Sequence, residues 1–300
     1  MFIIKYKKKF LAASIILVVI SIVFIFIFGL KPGIDFKGGA LLEVTYSADR
    51  PEVSLLESNI KKININQVLI QPTGDSSGSL GYIIKTRDLS QAEHEMLLKS
   101  LSLDDKYPVT EKAFTSVGPT VGSELARKAT LSIIFVIIGI ILFITYALRK
   151  VSRPVPSWKY GIITIVTLLH DIIIPTGIFA LMSHYTGAEV DTLFVLALLT
   201  ILGLSVHDKI VVFDRIRENL REGTKDFAET VGMSTSQTIV RSINITLTIV
   251  FVLVPLYLFG PETTKNFALI LTIGLVCGVY SSLFFASPLL VLVKDWQTKK

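Results

Sequence analysis

The chain has a single cysteine, Cys277, so no internal disulfide can staple it. Charge is scarce as well: 18% of its 300 residues are charged, against about 25% in an ordinary soluble domain. No Gly-Lys-Ser/Thr phosphate loop is present, so any nucleotide energy must come from a partner. No catalytic constellation is legible either, and an enzyme is not expected. What the chain has instead is apolar residues, 51% of the total with a mean hydropathy of +0.63. They come in runs, which excludes a disordered, fibrous or secreted chain and predicts an integral membrane protein. The net charge of +6 would raise the question of nucleic acid in a soluble protein. Here it reads as the Lys and Arg that membrane proteins keep on their cytoplasmic side, and no nucleic-acid partner is expected.

Six runs approach the ~20 apolar residues that a helical span needs. They lie near Phe10–Phe28, Ala129–Leu148, Tyr160–Ser183, Thr192–Phe213, Ile243–Phe259 and Phe267–Val293. The last is long enough to tilt or bend, and Pro288 marks the expected break. The first follows Lys5, Lys7, Lys8 and Lys9 but is too long for a signal-peptide core and lacks a small-x-small cleavage site, so it reads as an uncleaved anchor. Basic residues cluster in alternate loops: Arg149, Lys150, Arg153 and Lys159; Arg215, Arg217, Arg221 and Lys225; and Lys294, Lys299 and Lys300 at the C-terminus. The segment His184–Asp191 has no Lys or Arg, and Gly260–Asn266 has only Lys265. Both termini are therefore expected in the cytoplasm of a multi-pass plasma-membrane protein. The expected organisation is residues 1–29 for the N-terminus and first span, 30–128 for an extracytoplasmic domain, 129–293 for spans two to six and 294–300 for a cytoplasmic tail.

Between Gly29 and Lys128 there are 12 basic and 13 acidic residues, the balance of an ordinary hydrated domain. Leu42, Val44 and Tyr46 alternate with polar residues as in a half-buried strand, and Val53, Leu56, Ile60 and Ile63 recur at helical spacing. Gln67–Gln71 and Tyr82–Arg87 read as strands on either side of the turn-rich Pro72–Gly81. Ser90 and Glu93 form a capping-box pattern ahead of a helix to about Leu101, and Val109–Val117 is a fourth strand. The order β-α-β-β-α-β predicts an α+β ferredoxin-like sandwich. Thr120–Lys128 is expected to be helical and to lead into span two. His94 reads as a solvated surface residue, and Gly33–Gly39 as a turn joining span to strand.

Ionisable side chains inside spans are costly and face a partner or water. Span three carries His170 and Asp171, ~18 Å from its cytoplasmic end, with Thr164 and Thr167 on the same stripe as Asp171. Span four carries His207, Asp208 and Lys209. Asp208 lies ~9 Å inside the cytoplasmic edge, toward which Lys209 is expected to snorkel. Span five aligns Gln237, Arg241, Asn244 and Thr248. Asp208 and Arg241 can thus share one depth on antiparallel neighbours, as a buried pair. Two readings follow, a structural ion pair and a proton or ion relay, and polar stripes on three helices favour the relay. His170 and His207 with the two aspartates are a weak metal set, since adjacent His-Asp residues project ~100° apart on a helix.

Three motifs carry a resemblance: Gly33-Ile34-Asp35-Phe36-Lys37-Gly38-Gly39; Val117-Gly118-Pro119-Thr120-Val121-Gly122-Ser123-Glu124-Leu125; and Asp208 through Asn219. Arg241-Ser242-Ile243-Asn244 and His170-Asp171 fit the same pattern. In this order, over nearly the whole chain, they resemble the SecD/SecF family of protein-export subunits, of the resistance-nodulation-division superfamily. The resemblance implies half of such a six-plus-six-helix bundle, paired with SecD beside the SecYEG channel and, indirectly, the SecA ATPase. It also implies an unfolded preprotein as substrate and the proton-motive force as energy source, with Asp208 and Arg241 implicated in coupling and no bound cofactor. The chain departs from the pattern where the family commonly has Asn-Asp-Thr and this sequence has His207-Asp208-Lys209. The coupling ion, proton or sodium, stays open. A small-molecule or lipid exporter half and a passive translocase scaffold are the alternatives.

Overall fold

A computed structural model of the chain describes residues 2–47, 49–63, 65, 68–74, 80–103, 106–147, 155–223 and 226–298. Apolar runs of membrane length satisfy their backbone polar groups internally by coiling, and among the described residues six helices are long and apolar enough to cross a bilayer. Counting the short helix Phe2–Lys5 as α1, they are α2 (Lys7–Phe28), α6 (Pro119–Ala147), α7 (Ser157–Thr186), α8 (Thr192–Glu222), α9 (Phe227–Phe259) and a composite sixth. The sixth runs as α10 (Glu262–Tyr280), a π-helical turn (Ser281–Ala286) and α11 (Ser287–Thr298). Several helices outrun their apolar cores: α9 starts at Phe227, well before Ile243. Of the basic residues used to orient the chain, Arg149, Lys150, Arg153, Lys225, Lys299 and Lys300 lie outside the described residues.

The last span is not broken at Pro288. The helix continues without interruption and widens to a π turn at Ser281–Ala286, and Pro288 is the second residue of α11. A proline in a first helical turn needs no donor, and the wider π turn before it absorbs the misfit.

Burial separates inner from outer helices. The apolar windows of α7, α8 and the sixth span are 61%, 50% and 50% buried, against 17%, 6% and 17% for α2, α6 and α9. The core packs Ile144 of α6 and Tyr160 of α7 against Leu202 and Phe213 of α8 and Leu283 of the π turn. Helix α2 crosses α7 closely at Gly177, where a Cβ would lie 2.5 Å from that of Ser21 and 2.6 Å from its Cα. Small residues permit such approaches between membrane helices.

Between α2 and α6 lie α3 (Ile34–Lys37), β1 (Gly39–Tyr46), α4 (Val53–Lys62), β2 (Leu69–Gly74), β3 (Leu80–Thr86), α5 (Gln91–Leu101) and β4 (Val109–Val117). The sheet order is β2-β3-β1-β4 with every pair antiparallel, the split β-α-β arrangement expected. Leu42, Val44 and Tyr46 are buried against Leu56 and Ile60 of α4 and Leu97 of α5, as the alternation requires. The Ser90–Glu93 capping box forms, with Ser90 N donating to Glu93 Oε2 at 2.9 Å. Strand β2 extends further into the turn-rich stretch than the sequence suggested, with Pro72 opposite Tyr82. Proline is tolerated there because β2 is an edge strand. Gln67, expected to open that strand, lies outside the described residues.

His94 is not solvated. It is 7% exposed and stacks on Phe114 of β4 with ring centroids 3.8 Å apart, its Nε2 3.0 Å from Glu111. Helix α5 turns it toward the neighbouring strand, a contact no local pattern reveals.

Candidate functional site

Two polar constellations stand out, one where the sheet domain meets the membrane helices and one inside the bundle. The first is built on the Gly33–Gly39 segment. Gly33 N donates to Val190 O at 2.7 Å and Val190 N to Lys31 O at 2.8 Å, tying the exit from α2 to the α7–α8 loop. Helix α3 then ends on Gly38 (φ +82°) and Gly39 (φ +139°), left-handed conformations that favour glycine. A Cβ on Gly38 would lie 2.8 Å from Pro119 Cα, and one on Gly122 would lie 2.8 Å from Gly38 N. The two glycine motifs, distant in sequence, thus interlock at the start of α6.

Asp35, projecting from α3, accepts from Thr192 N at 2.8 Å and also from the Thr192 hydroxyl. Asp191 caps the same helix end, accepting from Phe194 N at 2.7 Å. Burial raises the Asp191 carboxyl above the ordinary range, against the pull of that hydrogen bond. Glu189 bridges Lys37 at 3.2 Å and Lys85 of β3 at 3.0 Å. A cleft of about 690 Å³ opens beside this latch, lined by Leu41, Gln71 and Ile83 of the sheet and by Met182, Thr263 and Asn266 of the helices.

The second constellation joins α7, α8 and the π turn. Lys209 does not snorkel. It is fully buried, and its Nζ lies 2.6 Å from Asp171 Oδ2, 2.5 Å from Ser205 Oγ and 3.1 Å from Ser281 Oγ. Ser205 and Ser281 also donate to Asp171 Oδ2, and His170 Nδ1 lies 2.9 Å from Oδ1. The His170 ring sits against Tyr280 and Phe285. A paired, hydrogen-bonded charge survives burial where a lone one would not, which is why the ammonium turns inward. Sequence reasoning singled out Asp171 and Lys209 without linking them, and missed both serines. Ser205 was findable, one turn before Lys209 on the same face. Ser281 was not, because the π turn aims it.

Neighbouring residues on α8 and α9 face elsewhere. Asp208 is 7% exposed and has no ion-pair or side-chain hydrogen-bond partner among the described residues. His207, Arg241, Asn244 and Thr248 are exposed on the outside of the bundle. Among the described residues no ion pair joins Asp208 to Arg241. Their depths are nonetheless close. Arg215 Nε donates to Gln237 Oε1 at 2.6 Å, and Asn219 Nδ2 to the same oxygen at 2.9 Å, which sets the α8–α9 register. Counting from that bridge, Asp208 is ~10 Å along α8, Arg241 ~6 Å along α9 and Asn244 ~10 Å along it. Among the described residues no three His, Cys, Asp or Glu side chains converge as a metal centre would need.

The family description "Protein export membrane protein SecD/SecF, C-terminal" matches residues 99–296, and "SecD/SecF GG Motif" matches residues 23–49. The chain is 39% identical to Protein translocase subunit SecF of Thermobaculum terrenum, over 99% of this chain and 94% of that one. It is 33% identical to Protein translocase subunit SecDF of Bacillus subtilis, over 98% of this chain and 38% of that one. The fold superposes on the crystal structure of SecDF, a translocon-associated membrane protein from Thermus thermophilus, with a TM-score of 0.81 and 27% identity. That match covers 97% of this chain and 38% of that one, so this chain spans about two-fifths of the SecDF structure.

Proposed function

Because this chain belongs to the SecD/SecF family of protein-export membrane proteins, we propose that it couples an ion gradient to export through Asp208. It is a SecF-like subunit of the Sec export machinery and a multi-pass membrane protein. The coupling reading is carried by Asp208, a carboxylate buried in a span with no side-chain partner among the described residues. Beside it, the ionisable His207 and Arg241 and the polar Asn244 are exposed on the outside of the bundle. Such a face against lipid is costly, and a second polar bundle or a water path relieves the cost. SecDF proteins carry the further length that would supply this bundle, and SecD is the partner we assign to it.

In this reading Arg241 and Asn244, with His207, line the ion path between the halves. Asp208 exchanges a proton, or binds sodium, as the path alternates between wet and dry. One elementary charge crossing 100 mV supplies ~2.3 kcal/mol, enough to bias a two-state motion. Asp171 and His170 hold the inner helices of the relay in place. The latch at Asp35 and Glu189 passes the motion to the sheet domain, and the cleft beside it meets the unfolded preprotein outside the membrane. Both termini are cytoplasmic, on the side of SecA, with SecYEG alongside.

The test is export of a reporter preprotein into proteoliposomes holding this chain, SecD, SecYEG and SecA. Proton and sodium gradients are imposed and collapsed separately, with wild type and Asp208→Asn compared. A gradient-dependent late step lost in the variant supports the reading and names the ion. Equal export in all conditions, with the complex intact, leaves a scaffold. Saturable binding of a small molecule or lipid with no effect on export points to an exporter.

A further inference from the structure

We propose that Asp171, Ser205 and Ser281 form a monovalent-cation site inside the bundle, which this chain fills with its own Lys209 ammonium. Three acceptors surround Nζ: the Asp171 carboxylate at 2.6 Å, the Ser205 hydroxyl at 2.5 Å and the Ser281 hydroxyl at 3.1 Å. They match the three protons of an ammonium. The Ser205 carbonyl, at 3.5 Å, is a fourth oxygen on the same side. Carboxylate, hydroxyl and carbonyl oxygens are the donor set of a hard cation, with no nitrogen or sulfur among them.

Charge selects the valence. Asp171 is the one carboxylate in the cage, so a single positive charge neutralises it, whereas a divalent ion would leave an unpaired buried charge. The cage is also held in shape without the lysine. Ser205 and Ser281 both donate to Asp171 Oδ2, and His170 fixes Oδ1 from the other side. In the tautomer with Nδ1–H donating to Asp171, the His170 Nε2 lone pair has no hydrogen-bond partner among the described residues. Ligating carboxylates are themselves held by outer hydrogen bonds, and His170 supplies one here. The π turn supplies the last element by turning Ser281 inward, and π turns recur at functional sites.

The tether has a consequence. An ammonium on a side chain is present at all ionic strengths and cannot leave, so Asp171 is closed to free sodium in the native chain. The inference does not depend on Asp208 coupling export, since every ligand lies elsewhere in this chain.

The test uses the purified full-length chain in detergent as wild type, Lys209→Ala and Lys209→Ala with Asp171→Asn. Bound 22Na+ and melting are followed as sodium replaces choline at constant ionic strength. Lys209→Ala is expected to bind a single saturable equivalent of sodium and to melt higher in sodium than in choline. Wild type and the double variant are expected to do neither. The proposal is overturned if folded Lys209→Ala binds no saturable sodium, or if wild type and the double variant bind as much as it does. Should Lys209→Ala be unfolded in choline, recovery in sodium supports the site. Failure to recover at high sodium, while the charge-free double variant folds, overturns it.

Discussion

Removing the Asp35 carboxylate isolates the contact between the sheet domain and span four. In Asp35→Ala, Thr192 loses the acceptor of its N–H, which now sits at 2.8 Å, together with that of its hydroxyl. A hydrogen bond to a charged group contributes ~1.5–3 kcal/mol. The contact is solvated, so the low end applies, with a small addition from the helix N-terminus. A loss of ~2 kcal/mol is a change of roughly 30-fold in the local opening equilibrium. Amide hydrogen exchange in nanodiscs reads it residue by residue. The Thr192 amide should exchange roughly 30-fold faster in the variant. The Phe194 amide, held by Asp191 at 2.7 Å, should keep its protection. Unchanged protection at Thr192 would refute the idea that Asp35 caps α8. Loss at both amides would refute the separability of the two caps and make the helix end and the domain contact one cooperative unit.

Other outcomes follow from the same geometry. Gly177→Ala forces a Cβ to within 2.5 Å of the Ser21 Cβ and should lower stability by ~1–3 kcal/mol in a thermal or denaturant melt. Gly139→Ala, which meets nothing within 4 Å inside α6, is the control and should cost nothing or stabilise slightly through helix propensity. Glu93 has its carboxyl held down to about 2, from 4.5, by the Arg87 side chain first and by the Ser90 cap. A depressed carboxyl stabilises fully above its unfolded value. The support it gives α5 should therefore be intact above pH 4.5 and disappear as pH falls toward 2, with the Glu93 carboxyl resonance titrating in that window. Arg87→Gln should move that titration upward. In choline, with no small cation to take the place of the ammonium, Lys209→Met leaves Asp171 charged and unpaired and should cost ~3–5 kcal/mol in such melts, and adding Asp171→Asn should recover most of it.

How far the sequence could be read depends on whether the deciding contacts are local. Alternation in Leu42, Val44 and Tyr46 carried β1, and the Ser90–Glu93 spacing carried the start of α5, because both patterns are written within a few residues. Hydropathy located the spans but not the helix ends, since α9 continues through Gln237 and Thr230, which bond to α8 and to their own backbone. His94 was misjudged because its partner, Phe114, comes from another strand. Lys209 was misjudged for the same reason. Its own helix offers a route toward the membrane edge, and only α7 and the π turn offer the acceptors that turn it inward. The Gly33–Gly39 segment reads as a turn in sequence, whereas Ile34–Lys37 forms helix α3 and its glycines seat against Pro119 and Gly122, contacts no local pattern carries.

Helix α6 is unbroken for 29 residues, a rod of ~44 Å. Its upper end is bolted to the Gly38 turn through Gly122, its lower end plants Ile144 in the core, and only 6% of its apolar window is buried between. Between those ends Val136, Ile137 and Ile140 pack part-buried against the core, so the bar is held along one face and open along the other. A 5° tilt imposed by the domain above moves the far end by ~4 Å, about one atomic contact distance. A rotation at the domain end is thus read at the Ile144 contact as a shift of atomic size, with the rod itself unbent.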